Sequence, residues 1–357
     1  MNPLRAICVC AAILFGGCGL DPAKVPGHPV YASDGAMVEV TEPLRFAVVG
    51  STRPTREGAA DAVISDLAES ARTEDLAFVV LLGDQVPRST AAAWRTFHQR
   101  WAPVVEAGAQ LVPVAGSGEL KCDRHLVGFA AAFPGAGPAD RPDSPAGWSS
   151  FDLRVGEGLW RLVLTETDRK AMGDRWAEQL FWLPRAVSGA DAYDLLLFLP
   201  TPATTLTGRA DPNAGAVLEA ALDHAPADRL MVVFQGGTPS NELLLPGGAW
   251  GEARVVAGNG GVPGEDLAVA WPLRSPQPDV ALDPAFHQAL LDEMTLPPGA
   301  TPPWVLDGGA FPIQGWWMVE LHGREIDLAF RFRRTDGSLH EITRHRYRTD
   351  VGWHAGE

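Results

Sequence analysis

Short apolar runs punctuated by glycine dominate the chain from residue 44 onward. Leu44-Arg45-Phe46-Ala47-Val48-Val49 stops at Gly50, Ala77-Phe78-Val79-Val80-Leu81-Leu82 stops at Gly83-Asp84, and the run 110–114 stops just before Gly116. Runs of this length bounded by turn residues predict strands covered on both faces. Between them the period changes. Over 58–72, Ala62, Val63, Ile64, Leu67 and Ala71 recur at helical spacing, and over 90–107 Trp94, Phe97 and Trp101 share one face, so both stretches predict helices. Strands alternating with helices predict βαβ units and a mainly parallel sheet. Further strands are expected over 159–165, 194–199, 230–235 and 253–257, with a helix over 176–183. The stretches 316–321 and 325–332 alternate as antiparallel strands do, and His322-Gly323-Arg324 would join them as a hairpin. No internal repeat is visible.

The first residues follow another pattern. Arg5 precedes an apolar run over 6–15, and Gly16 and Gly17 precede Cys18. A charged start, a short apolar core and small residues at the cut predict a secretory signal peptide over 1–17. The run is too short to span a bilayer, which takes about 20 residues. Phe15-Gly16-Gly17-Cys18 resembles the lipobox of bacterial lipoproteins, which implies lipidation of Cys18; the alternative is an ordinary signal peptide with Cys18 incidental. Gly19 after the cysteine resembles Gram-negative lipoproteins sorted to the outer membrane. The protein is therefore expected to be exported and lipid-anchored. Residues 18–42 read as a tether, 43–335 as the folded body with 262–312 as an insertion or long loops, and 336–357 as a C-terminal strand or tail.

Composition adds three constraints. Of four cysteines, Cys8 and Cys10 leave with the signal and Cys18 is lipidated, so Cys122 is expected as a lone thiol without an internal disulfide. With 357 residues and 46% hydrophobic content, the fold can stand on its core as one large domain or two. Net charge is −15, and Lys and Arg form no block, which excludes nucleic acid as a partner and a polybasic membrane patch.

In α/β folds, polar tripeptides at strand ends are where sites are built. In order they read Gly50-Ser51-Thr52-Arg53, Gly83-Asp84-Gln85-Val86-Pro87, Gly116-Ser117-Gly118-Glu119, Phe198-Leu199-Pro200 and Gly236-Gly237-Thr238-Pro239-Ser240. Their order and flanks, including Trp94-Arg95-Thr96-Phe97, Trp148-Ser149-Ser150-Phe151-Asp152 and Ala257-Gly258-Asn259-Gly260-Gly261, resemble the calcineurin-like metallophosphoesterases over about residues 45–335. The resemblance implies an α/β/α sandwich of two mixed β-sheets flanked by helices. It also implies a site for two divalent metals such as Mn, Fe or Zn, whose strand ends read Asp-x-His, Gly-Asp-x-x-Asp/Asn, Gly-Asn-His-Glu, His-x-Pro and Gly-His-x-His.

Most of those ligands are missing. Two-metal hydrolysis needs several hard ligands converging on ions about 3.5–4 Å apart. At the matching positions stand Ser51, Arg53, Asp84, Pro87, Ser117, Gly118, Phe198, Gly237 and Pro239, and none of the nine histidines falls on a motif position. Asp84 is the one retained ligand-type residue, and one carboxylate cannot hold two divalent ions. No metal cofactor and no catalytic residue is therefore expected. Asp84 reads as the partner of Arg53, an arrangement that can be bidentate. The same region could instead bind a phosphate or carboxylate without metal through Ser51, Arg53, Ser117 and loop amides, with Glu119 and Thr165-Glu166-Thr167-Asp168 shaping the pocket. The bland alternatives are a solvated Glu119 and a Glu166 that caps the next helix.

The expected function is that of a catalytically degenerate, metallophosphoesterase-like lipoprotein that binds or scaffolds in the cell envelope, with an envelope protein or an anionic ligand as partner. A divergent metal-dependent phosphoric ester hydrolase with a rearranged site is the alternative, and a purely structural envelope component is the third reading.

Overall fold

The computed structural model describes residues 20–54, 59–136, 147–188, 193–205, 210–226, 229–238, 241–246, 252–258, 280–282, 314–333, 338–348 and 352–355. The signal peptide, Cys18, Pro239, Ser240 and all but 280–282 of the expected insertion lie outside the described residues. Along the chain run β1 (Met37–Val40), β2 (Leu44–Val49), α1 (Ala59–Glu74), β3 (Phe78–Leu82), α2 (Ala91–Glu106), β4 (Gln110–Val114), α3 (Ser117–Leu120) and α4 (Val127–Ala132). Then come β5 (Ser149–Val155), β6 (Gly158–Leu164), α5 (Arg169–Met172), α6 (Arg175–Ser188), β7 (Asp194–Leu199), α7 (Pro212–Leu222), β8 (Met231–Gln235), β9 (Asn241–Pro246), β10 (Glu252–Ala257) and β11 (Val280–Leu282). The chain closes on β12 (Gly315–His322), β13 (Glu325–Arg333), β14 (Leu339–Arg348) and β15 (Gly352–Ala355).

Two mixed sheets result, ordered β15-β14-β13-β12-β2-β3-β4 and β1-β5-β6-β7-β8-β10-β9-β11. The expectation of a mainly parallel sheet holds for β2-β3-β4 and for β6-β7-β8-β10. It fails at the flanks, where β12 runs antiparallel to β2 and β9 to β10.

Strand alternation explains the layering, because successive side chains leave a strand on opposite faces. Phe46, Val48, Phe78, Val80 and Leu82 meet Leu162, Leu196, Phe198, Val232 and Phe234 between the sheets. The intervening Ala47, Val49, Val79 and Leu81 meet Ile64, Leu67, Trp94, Phe97 and Trp101 of α1 and α2. On the other outer face, Leu195, Leu197 and Val233 meet Trp176, Leu183, Val217 and Leu218. Both faces of the central strands are thus covered, which is why they read as continuous apolar runs. Helix α2 starts at Thr90, whose side chain accepts from Ala93 N at 3.1 Å. The β12–β13 hairpin turns at Gly323-Arg324 with Gly323 at φ +54°.

Two expectations need correction. The stretch 18–42 is not a free tether from residue 20 on. Met37–Val40 pairs in parallel with β5, Tyr31 N donates to Leu111 O at 3.1 Å, and His28 is buried against Phe97 and Phe133. The reason is apolar cover: Val25, His28 and Tyr31 bury surface that β3, β4 and α4 would otherwise expose. Of the two readings of 336–357, the strand is the one seen: β14 and β15 continue the first sheet. Cys122, expected as a lone thiol, is disulfide-bonded, with its partner outside the described residues.

Candidate functional site at the strand ends

The strand-end loops converge, and they do so through glycine. A Cβ on Gly83 (φ +73°) would lie 3.0 Å from Gly116 Cα and 3.0 Å from Pro200 Cβ. One on Gly50 would lie 2.4 Å from Ala257 O, and one on Gly236 2.5 Å from Leu82 O. Backbone therefore packs on backbone where the two sheets meet, an approach only glycine permits.

Asp84 emerges from this contact in the left-handed region, at φ +56°, as does Ser51 at φ +52°. Its Oδ1 accepts from Gly118 N at 2.7 Å and Ser117 Oγ at 3.1 Å. Arg53 Nη1 stands 3.9 Å from Oδ2, with the Arg53 side chain 40% exposed. The expected bidentate Arg53–Asp84 pair is therefore not what holds Asp84; the turn after β4 supplies directed donors first, and Arg53 adds only a long contact.

Glu119 is a second correction. It is fully buried, not a solvated loop residue. Its Oε2 accepts from Gly116 N at 2.8 Å and Asp84 N at 2.9 Å, and its Oε1 from Val86 N at 3.0 Å. One carboxylate thus ties the loops after β3 and β4 together. Burial, and then the nearby Asp84 charge, push its pKa up to about 8 against the three amides that hold it down. These oxygens already serve buried amides, so Glu119 acts on the crevice by fixing its two loops.

Glu166 is also buried. Its Oε1 accepts from Thr167 N and Asp168 N, both at 2.8 Å, while Oε2 has no partner among the described residues. Gln179 clamps its backbone from α6 at 2.8 Å on both sides. Asp168, not Glu166, caps α5, accepting from Ala171 N at 3.0 Å. Burial pushes the Glu166 pKa up to about 8 as well.

Two metal ions do not fit this arrangement. A Cβ at Gly118 would lie 2.0 Å from Val86 O, so that position has no room for a ligating side chain. Gly237 (φ +75°) is closed in the same way, 2.7 Å from Pro200 O. Phe198 points into the inter-sheet core, stacked on Phe234 with centroids 5.1 Å apart, so it does not fill the site either. Pro87 is exposed. Among the described histidines, His98 pairs with His28 at 3.1 Å away from the strand ends, and His125 is exposed beyond α3. A cluster of Glu320, His322 and Asp327 exists elsewhere, but Arg45 and Arg346 already neutralise its carboxylates.

Sequence reasoning missed the Glu119 buckle, the unpaired Glu166 oxygen and a groove beyond Ser117 lined by Lys121, Arg124, Asp168 and Lys170. The groove left one signal in the sequence, the scarcity of lysine: Lys24, Lys121 and Lys170 are the three in the chain.

The architecture defines a class: two mixed sheets face to face, helices outside, polar loops gathered at the strand ends. This is the calcineurin-like metallophosphoesterase fold. Solved structures agree. PhoD superposes with a TM-score of 0.58 over 91% of this chain and 73% of that one at 11% identity. GAP50, described as the anchor in the inner membrane complex of Plasmodium, superposes with a TM-score of 0.53 over 84% of this chain and 88% of that one at 14% identity. No protein-family model matches the sequence, and no curated protein matches it.

Proposed function

We propose that this chain is a phosphoesterase-fold protein that has lost hydrolysis and acts by binding, as a lipoprotein held at the outer membrane through Cys18. The observation that carries the loss of hydrolysis is steric. At Gly118 and Gly237, backbone carbonyls occupy the space a ligating side chain would need, at 2.0 and 2.7 Å from the Cβ position. A lost ligand can be restored by one substitution, whereas a backbone that has closed over its position cannot. The retained Asp84 spends Oδ1 on Ser117 and Gly118. Fold alone confers no activity, and one solved structure of this fold is described as an anchor, so the fold accommodates such a role. The lipoprotein half of the reading rests on the Phe15-Gly16-Gly17-Cys18 pattern and competes with the Cys122 disulfide: the other cysteines are Cys8, Cys10 and Cys18, the first two leave with the signal, and a Cys18 sulfur bonded to lipid cannot also pair with Cys122. A divergent metal-dependent hydrolase remains as the second reading because Asp84 Oδ2 has only Arg53 among the described residues, at 3.9 Å.

The test is elemental analysis of the purified full-length protein together with hydrolysis of an aryl phosphate in added manganese. The expected result is far less than one metal per chain, with background turnover equal in wild type and Asp84→Ala. Near-stoichiometric metal with turnover abolished by Asp84→Ala would overturn the reading.

A further inference from the structure

The chain is acidic, and its cations are mostly spoken for. Arg45, Arg161, Arg324, Arg331 and Arg346 all sit in ion pairs of 3.0 Å or less. Lys121, Arg124 and Lys170 do not. They are exposed, none has an acidic partner among the described residues, and all three line one groove of about 240 Å³ between the segment after α3 and helix α5. Two of the chain's three lysines thus face one concavity in a protein of net charge −15. The acid on its wall, Asp168, turns Oδ1 into the cap of α5. Ser117 stands at the rim with its hydroxyl donated to Asp84 Oδ1, which joins the groove to the strand-end crevice.

The three cations outnumber the one carboxylate on the wall, Asp168, and an anion that enters between them relieves their repulsion. Three cations suit a group with several oxygens and close to two negative charges, which a phosphate supplies and a single carboxylate does not. We propose that the Lys121–Arg124–Lys170 groove is a metal-independent binding site for a phosphate group. This deepens the binding reading above and rests on it. The phosphate could be that of a soluble phosphomonoester or of a lipid headgroup; both present the same dianion.

The test is titration of the full-length protein with inorganic phosphate in EDTA at low ionic strength, followed calorimetrically. The variants are Lys121→Glu with Lys170→Glu, and Lys24→Glu as a control that changes charge at the exposed third lysine. The expected result is saturable binding, weakened roughly tenfold or more by the double variant and by less than about twofold by Lys24→Glu. No binding by wild type, or equal losses in both variants, would overturn the proposal. Vesicles of phosphatidylcholine with and without phosphatidic acid separate the sources. Groove-dependent preference for phosphatidic acid assigns a headgroup, and phosphate binding without that preference assigns a soluble ligand. Absence of phosphate binding with no turnover would leave the non-hydrolytic reading standing, whereas manganese-dependent turnover would overturn that reading whatever the groove binds.

Discussion

Two neighbouring regions share Ser117 and treat charge in opposite ways. In the crevice at the strand ends, polar groups are consumed internally: Glu119 serves three amides, and Asp84 serves Gly118 and Ser117. In the groove a few residues further on, Lys121, Arg124 and Lys170 have no acidic partner among the described residues. A region that satisfies itself is stable and inert. One that leaves like charges unpaired gives up some stability and gains attraction for a ligand. The positions that match the family's ligands lie where the strands end, and the three cations lie one loop outward.

The largest expected effect tests the closed side. Glu119→Ala leaves three amides in the β3 and β4 loops without their acceptor, and each buried N–H left unpaired costs about 1–3 kcal/mol. A loss of about 3 kcal/mol or more is expected in urea denaturation. A loss below about 1 kcal/mol would mean the crevice is not self-satisfied, and the contrast with the groove would fail.

Glu166 gives an effect of intermediate size. Its folded-state pKa is raised to about 8 from an ordinary value near 4.5. Between those values the unfolded chain has released the proton while the folded chain still holds it. The stability it contributes is therefore full below about pH 4.5 and is lost as pH rises toward 8. Glu166→Gln, neutral in both states, should flatten that fall by about 1 kcal/mol or more, read as the urea midpoint against pH. An unchanged slope would mean that Glu166 is ionised in the fold.

The smallest effect is expected at Arg53. Its contact with Asp84 is long and its side chain 40% exposed, so Arg53→Ala should change stability by less than about 0.5 kcal/mol. A cost above about 1 kcal/mol would make Arg53 a structural partner of Asp84 and move it to the closed side of the comparison.

Much of the fold was legible in the sequence because it is built from strands covered on both faces. Runs such as Phe78–Leu82 and Asp194–Leu199 keep an apolar signature without help from distant residues. Edge elements were not legible. β1 alternates exposed and half-buried positions over four residues, too short a pattern to stand out. The α7 start is written in Asp211-Pro212, but its alanine-rich body offers little polar contrast. The site was legible as a list of missing ligands and illegible as a geometry. Nothing local in Gly116-Ser117-Gly118-Glu119 says that the glutamate reaches the amides of Asp84 and Val86, more than thirty positions earlier. Nothing local says that a carbonyl lies against Gly118 either.

For a body anchored through Cys18, as proposed, the early packing of the chain would limit how far it can stand from a surface. Leu20 already touches α4, its Cδ1 within 3.0 Å of where a Cβ of Gly128 would be, and Gly128 lies four residues beyond Arg124. An acyl chain on Cys18 would leave Gly19 as the only intervening residue, a reach of roughly 7 Å at full extension. Such a protein would not sweep the periplasm on a leash. It would sit flush, its orientation set by the fold, like a stud pressed into the leaflet rather than a buoy moored above it.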